Sequence, residues 1–349
     1  MKFILTLSAL FLSLILITSC SNELDLTADY EEVSVVYGVL DTANSKQYIR
    51  IMKGYLDPET SAVEQAQIQD SIYYPANLIV KLTERETGTE YELERVNGDT
   101  LNPPVEKEEG VFANTPNILY VLRSPVKRGN TYDLYIENPN SGKVITSSAP
   151  VLGRFSITYP PVAIINQFLI SFYQNSRGLE IQWTTPKFGK TYDLQIGFSY
   201  LEWGIDDDKS NAEVKTVRFT TATGLISNTS DGGESITYYL EGDAFFSRIA
   251  GLIDEDPRLL RAAAPNPFDI RVNAGEEELY RYILVNNTLL NDITQLSAKP
   301  EYTNINNGIG IFTSKASIAR NGIAFSTSSL DSLSCGRFTI DLNFEGPCQ

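Results

Sequence analysis

The residues of this chain that could do chemistry are few in kind, and the commonest catalytic side chain is missing. No histidine occurs among the 349 residues. Its absence removes the usual general base, the usual zinc ligand and every triad built on imidazole. Three cysteines and 44 carboxylates remain. Asp206, Asp207 and Asp208, followed by Ser210 and Asn211, form the densest oxygen cluster and are weak candidates for a calcium site. They lack the spaced D-x-D-x-D-G pattern and the distal bidentate glutamate, so the cluster reads as a solvated loop and no metal is expected. Asp254-Glu255-Asp256 is weaker still. With so many acids some pair must lie within the roughly 10 Å a glycosidase needs, yet no motif selects one. There is no G-x-S-x-G elbow, no phosphate-binding glycine loop and no S-x-x-K element in a credible setting. Trp203, Tyr238 and Tyr239 could stack on a sugar, although at strand spacing such residues usually fill a core. No catalytic residue and no cofactor is assigned, and the expectation is a protein that is not an enzyme.

The cysteines carry the clearest chemistry. Lys2 supplies a positive n-region, the apolar run from Phe3 to Ile17 a short h-region, and Thr18-Ser19 the small residues a signal peptidase needs before its cut. Cys20 closes that run. The arrangement resembles the bacterial lipobox, in which the thiol forms a thioether to diacylglycerol and becomes the first residue of the mature chain. Residues 1–19 are then a signal peptide, Cys20 the lipidation site, and the covalent lipid the sole attached group. A transmembrane anchor fits less well, because about 20 apolar residues are needed and Thr6, Ser8 and Ser13 interrupt the run. In an exported chain Cys335 and Cys348 read as one disulfide worth about 3 kcal/mol in the chain-entropy model. Two free thiols are the alternative.

Net charge is −16, and removal of the leader deletes only Lys2, leaving 27 basic against 44 acidic residues. Phosphate backbones and anionic lipid head groups repel such a chain. Nucleic acid is therefore excluded as a partner, and the lipid must hold the protein at a membrane.

The elements that must position these residues read as strands. Sixteen Phe and 19 Tyr are enough for real cores, and aromatic and β-branched residues favour sheet. Residues 20–32 are polar and acidic without apolar period, a tether. From Val33 to Ser147 seven short strands follow one another between turns, the count of an antiparallel sandwich. Glu86-Thr87-Gly88 turns one hairpin, with Glu90, Glu92 and Glu94 on its wet face. The segment 57–75 between the second and third strands is a long loop or, over Ala62–Ile68, a short helix. Ser148-Ala149-Pro150 and Tyr159-Pro160-Pro161 bracket a boundary, giving units at 33–150 and 151–349.

In the second unit Leu179, Ile181 and Trp183 alternate onto one face, as do Tyr192, Leu194 and Ile196. That pattern resembles the B and C strands of fibronectin type III domains, with a core Trp and a core Tyr on adjacent strands. Gly129–Ile136 and Gly189–Ile196 match at six of eight positions, an internal echo of one turn and strand. One helix is expected, over Asp243–Leu252, capped by Asp243 and burying Phe245, Phe246, Ile249 and Leu252. Phe268–Val272 and Leu279–Val285 return to strand after it. The expected fold is all-β: two antiparallel, Ig/fibronectin III-like β-sandwich units with one short helix in the second and a disulfide-closed tail.

Thr42, Ser71, Thr100 and Ser332 each follow an Asp and precede an apolar or small residue. These sites resemble the O-glycosylation sequon of Bacteroidota. The most distinctive stretch is Glu301–Ser314, where Asn306-Asn307-Gly308 and Gly310 offer positive-φ positions. It resembles the C-terminal signature of DUF4249, a family of Bacteroidota outer-membrane lipoproteins, as do Val36–Asp41 with Tyr48–Ile51 and the Gly129–Ile136 element. The resemblance implies a lipid-anchored, cell-surface accessory protein. Its expected partner is an outer-membrane β-barrel, such as a TonB-dependent transporter or a protein export and assembly barrel. An independent glycan or peptide binder is the alternative, and a carboxylate-based hydrolase the third reading.

Overall fold

Alternation of buried and exposed residues builds most of the molecule. In Thr131–Asn138 every second side chain is inside, so Tyr132, Leu134 and Ile136 reach a core while Asp133 and Tyr135 face outward. The computed structural model describes residues 33–54, 66–107, 113–161, 168–173, 177–291 and 302–348.

Sixteen strands run through these residues. They are β1 (Val33–Asp41), β2 (Gln47–Gly54), β3 (Ile79–Glu84), β4 (Thr89–Glu92), β5 (Glu94–Asn97), β6 (Ile118–Leu122), β7 (Thr131–Asn138) and β8 (Lys143–Pro150), then β9 (Ile157–Tyr159), β10 (Leu169–Ile170), β11 (Leu179–Thr184), β12 (Thr191–Gly204), β13 (Glu213–Ile226), β14 (Ser235–Leu240), β15 (Leu259–Gly275) and β16 (Gly308–Phe325). One large sheet has the order β13-β12-β15-β16-β1-β2-β6-β5, with β10 beside the end of β16. A four-stranded sheet, β4-β3-β7-β8, shares a core with its β1-β2-β6 end, and a three-stranded sheet, β14-β11-β9, shares a core with its β12-β15 end. The fold is all-β, two sandwich units with one sheet in common.

The two cores meet at consecutive residues, Val151 packing in the first and Leu152 in the second. The units are nevertheless not contiguous in sequence, because Ile305 and Phe312 pack in the first core. Strand β16 explains this. Its residues Gly308–Lys315 pair in parallel with Ser34–Asp41, and Lys315–Ile323 pair antiparallel with Gly275–Phe268. The expectation of antiparallel units is therefore corrected at β1–β16 and at the short β10–β16 pair, both parallel. Of the expected positive-φ positions, Asn307 (φ 59°) within the Asn-Asn-Gly turn and Gly310 (φ 109°) beyond it take them, whereas Asn306 and Gly308 do not. At Gly310 a Cβ would stand 2.1 Å from the Val36 carbonyl oxygen, so glycine is required for β16 to approach β1.

The helices depart from expectation in number. Besides the one-turn α1 (Gln69–Ile72), there are α2 (Gly242–Ala250), α3 (Glu277–Asn291) and α4 (Thr327–Cys335). Residues 62–65 of the suggested Ala62–Ile68 helix lie outside the described residues. Helix α2 buries Phe245, Phe246 and Ile249, but Asp243 sits in its first turn and pairs with Arg337 instead of capping. Leu252 is exposed and Ile253 takes the core position. Leu279–Val285, expected as strand from its Leu, Tyr, Ile and Val content, is helical in α3. The acidic residues before it decide the outcome: the Glu276 carboxylate accepts from the Glu278 N–H at 2.9 Å, Glu277 and Glu278 occupy the positive end of the helix dipole, and Glu277 pairs with Arg281 one turn on.

Candidate functional site

The candidate site is an open groove of about 630 Å³ over the outward-facing residues of β3, β7 and β8. Strand alternation that sends Leu82, Leu134 and Ile145 into the core leaves Thr83, Asp133, Tyr135, Thr146 and Ser148 outside. Asn304 and Asn306 from the turn before β16 form one wall, with Glu278 from the start of α3. Backbone exchange between Thr146 and Asn306 fixes that wall on β8, the Asn306 N–H donating at 2.8 Å. Asn304 is held in turn by the Phe312 N–H, which donates to its Oδ1 at 2.9 Å.

At the groove floor Arg85 Nε donates to Asp133 Oδ2 at 3.0 Å, a second guanidinium nitrogen donates to Oδ1, and Ser148 Oγ accepts from the same guanidinium at 3.0 Å. Arg85 holds the Asp133 carboxyl below the usual range, while burial pushes Glu278 up. Opposite shifts in one cleft are what acid–base chemistry would use. Here both Asp133 oxygens are committed to Arg85, so this carboxylate offers no uncommitted oxygen for a nucleophile or base. The groove is a hydrogen-bonding surface.

The other residues singled out in the sequence are dispersed. Cys335 and Cys348 form a disulfide with Cα atoms 5.3 Å apart, closing the tail onto α4. Asp206, Asp207 and Asp208 are exposed, and Asp208 Oδ1 accepts from the Ser210 N–H at 2.8 Å, closing the turn after β12. No group of three metal-ligating side chains converges among the described residues. Asp256 is tied to Arg258, whose hydrogen bonds hold its carboxyl down at about 2. Trp203 lies buried in the large sheet under Lys209, whereas Tyr238 and Tyr239 sit on the three-stranded sheet and point to opposite faces. They make no common platform. Trp183 and Tyr192, by contrast, meet in the second core with ring centroids 6.1 Å apart, and burial pushes the Tyr192 hydroxyl up to about 12.

Among the sequon residues, Thr100 is exposed and its Oγ1 donates to the Asn97 carbonyl, Ser71 and Ser332 are half-buried in α1 and α4, and the Thr42 hydroxyl is buried. Cys20 and the tether at 20–32 lie outside the described residues. Among the described residues no helix is long and apolar enough to cross a membrane.

Sequence reasoning missed the groove because its walls come from five separated stretches. The one usable cue was the Asn-Asn-Gly turn, whose neighbours line it.

The sheets and the buried Trp–Tyr pair define a strand-rich, two-sandwich protein. No protein-family model and no curated protein matches the chain. Among solved structures it is similar to the FN1–FN3 domains of chicken CNTN1, at 16% identity and TM-score 0.20, covering 69% of this chain and 60% of that one. It is also similar to a cytokine receptor complex, at 10% identity and TM-score 0.19 with 70% and 92% covered. A third is the C-terminal globular domain of an oligosaccharyltransferase from Pyrococcus abyssi, at 14% identity and TM-score 0.25 with 68% and 47% covered. The chain thus spans less than two thirds of the first and third of these. TM-scores this low carry no residue role or activity across.

Proposed function

We propose that this chain is a lipid-anchored, surface-exposed outer-membrane lipoprotein of the DUF4249 kind, a non-catalytic accessory subunit of an outer-membrane β-barrel complex for nutrient uptake or for protein export and assembly. The observation that carries this reading is the apolar run Phe3–Ile17 closed by Thr18-Ser19-Cys20. Val33, where β1 begins, follows Cys20 by 13 positions, so an extended tether keeps the sandwiches within about 45 Å of the lipid. The acidic surface supplies no attraction to anionic lipid, which leaves the thioether as the attachment.

The test is fractionation of cells carrying Cys20→Ala, with a pull-down from detergent-solubilised outer membranes. Release of the variant into the soluble fraction and recovery of a β-barrel with the wild type are expected. A wild type that recovers no barrel protein removes the accessory role. The polar groove at Arg85, Asp133 and Asn306 favours a second reading, an independent glycan or peptide binder. That reading predicts a measurable affinity of the folded body for glycan or peptide without any barrel.

A further inference from the structure

The floor of the groove over β3, β7 and β8 is ordered in rows. Pairing across the sheet sets Thr83, Asp133 and Ser148 side by side in one row, and Tyr135 beside Thr146 in the next. Neighbours in such a row stand about 5 Å apart on one face. Arg85 joins the first row through Asp133 and Ser148. In the second row the Tyr135 hydroxyl donates to Glu137 at 2.8 Å, which fixes the direction of the ring.

Several polar atoms of this lining are uncommitted. Among the described residues Arg85 Nη1, the Thr83 hydroxyl, Asn306 Oδ1 and the Glu278 carboxylate make no hydrogen bond. The Ser148 and Thr146 hydroxyls accept from Arg85 and Asn306, and each keeps its own proton to donate. These residues are open to solvent: the Arg85 side chain is 57% exposed, Asn306 is exposed, and Thr83 and Glu278 are half-buried. Free donors and free acceptors thus face one cleft.

Three ligand classes fit that cleft badly. An anion meets the Glu278 carboxylate and a guanidinium already neutralised by Asp133. An apolar molecule finds only the Tyr135 ring, because Leu134 is 1% exposed. An extended peptide would add to the edge of β8, and that edge is taken. Thr146 exchanges backbone bonds with Asn306, Ser147 Oγ donates to the Asn304 carbonyl at 2.8 Å, and Ser314 Oγ donates to the Pro150 carbonyl at 2.6 Å. The remaining class is neutral, carries hydroxyls that both donate and accept, and offers an apolar ring face to a tyrosine.

We propose that the groove binds a neutral sugar, a disaccharide or the end of a longer neutral glycan, with one ring on Tyr135 and adjacent hydroxyls accepting from Arg85 and Thr83 while donating to Glu278 and Asn306. Its volume of about 630 Å³ falls within the roughly 300–1,000 Å³ of small-molecule sites. The ligand class rests on the binder reading of this same groove and not on a barrel partner.

The test titrates the purified full-length chain with maltose, cellobiose, lactose and mannobiose, with glucuronate as an anionic sugar and with tetraalanine as a peptide, by calorimetry or by chemical-shift perturbation. At least one neutral disaccharide is expected to bind with a dissociation constant of about 1 mM or tighter, and glucuronate and tetraalanine about tenfold more weakly or worse. Glu278→Gln is expected to weaken the disaccharide about tenfold by removing a charged acceptor. Tyr135→Ala should weaken it about tenfold as well, whereas Tyr135→Phe, which keeps the ring, should bind like the wild type. Because Glu278 makes no side-chain hydrogen bond in the fold, Glu278→Gln decides the outcome even where Tyr135→Ala lowers the melting temperature. Binding of tetraalanine alone overturns the sugar and leaves the binder reading standing, and binding of no probe overturns both. Glucuronate binding as tightly as the disaccharides, or disaccharide binding unmoved by Glu278→Gln, overturns the proposal.

Discussion

Arg261 and Glu202 meet inside the second sandwich, the guanidinium Nε donating to Glu202 Oε2 at 2.7 Å with neither side chain more than 7% exposed. The same guanidinium donates to the carbonyls of Leu342 at 2.8 Å and Asp254 at 3.0 Å, so one cation ties β12 and β15 to the C-terminal segment. Burial works against ionisation of Glu202, but hydrogen bonds from Lys215 and Arg261 outweigh it and leave its carboxyl below the usual range. Arg261→Met removes three donated hydrogen bonds and leaves Lys215 as the remaining partner of Glu202. Chemical denaturation is expected to show a loss of about 3 kcal/mol. Arg261→Lys should recover little of it, because an ammonium cannot reproduce the fork. An unchanged midpoint in Arg261→Met would show that the network contributes nothing.

Glu276 predicts a pH dependence with a definite sign. It is 1% exposed, accepts from the Thr313 hydroxyl and the Glu278 N–H, and is pushed by burial to about 7. The folded chain therefore holds this proton to higher pH than the unfolded chain, whose glutamate titrates near 4.5. Stability from this group is fully present below about 4.5, declines as pH rises toward 7 and levels off above it, for a total of at most about 3 kcal/mol. Urea denaturation at pH 5 and pH 8 should show Glu276→Gln gaining on the wild type at the higher pH. Parallel pH profiles would refute the assignment.

Strand β16 couples the two cores. Phe312 is fully buried in the first core, and Phe312→Ala should cost about 3–5 kcal/mol. Trp183 lies in the second core, yet its fluorescence is expected to report that loss in full, in one cooperative transition. A Trp183 transition unmoved by Phe312→Ala would mean that the sandwiches unfold separately. Gly310→Ala, which drives a Cβ onto the Val36 carbonyl, should be at least as damaging.

The Cys335–Cys348 bridge joins positions 13 apart, and its removal by Cys335→Ser with Cys348→Ser should cost about 3 kcal/mol. Local opening near the removed bridge is expected on top of that global cost. Hydrogen exchange should accelerate more in α4 and residues 336–348 than in the amides of β12 and β15, held by Arg261. Uniform acceleration across the second sandwich would contradict this.

Legibility followed the range of the interactions. Strands with strict alternation, such as Thr131–Asn138 and Leu179–Thr184, were readable because one buried face imposes a period of two. The disulfide and the Trp183–Tyr192 pair were readable for similarly local reasons. Leu279–Val285 misled because its aromatic and β-branched side chains favour sheet, while the decisive terms lie in Glu276–Glu278 just before it. The pairing of Val36 with Gly310 joins segments at opposite ends of the sequence, and no local pattern encodes it. The groove at Arg85 was invisible for the same reason, since it gathers side chains from several stretches.

The parallel pairing of β1 with β16 also sets an order of assembly. Gly38 is among the earliest residues of the folded body to be synthesised, and its neighbour across the ladder is Phe312. The first sandwich therefore cannot close before Gly308–Lys315 are free to pair, and until then β1 has β2 on one side and an unpaired edge on the other. Among the described strands, the first core is thus completed by a pairing of high sequence separation, the kind of contact that slows folding.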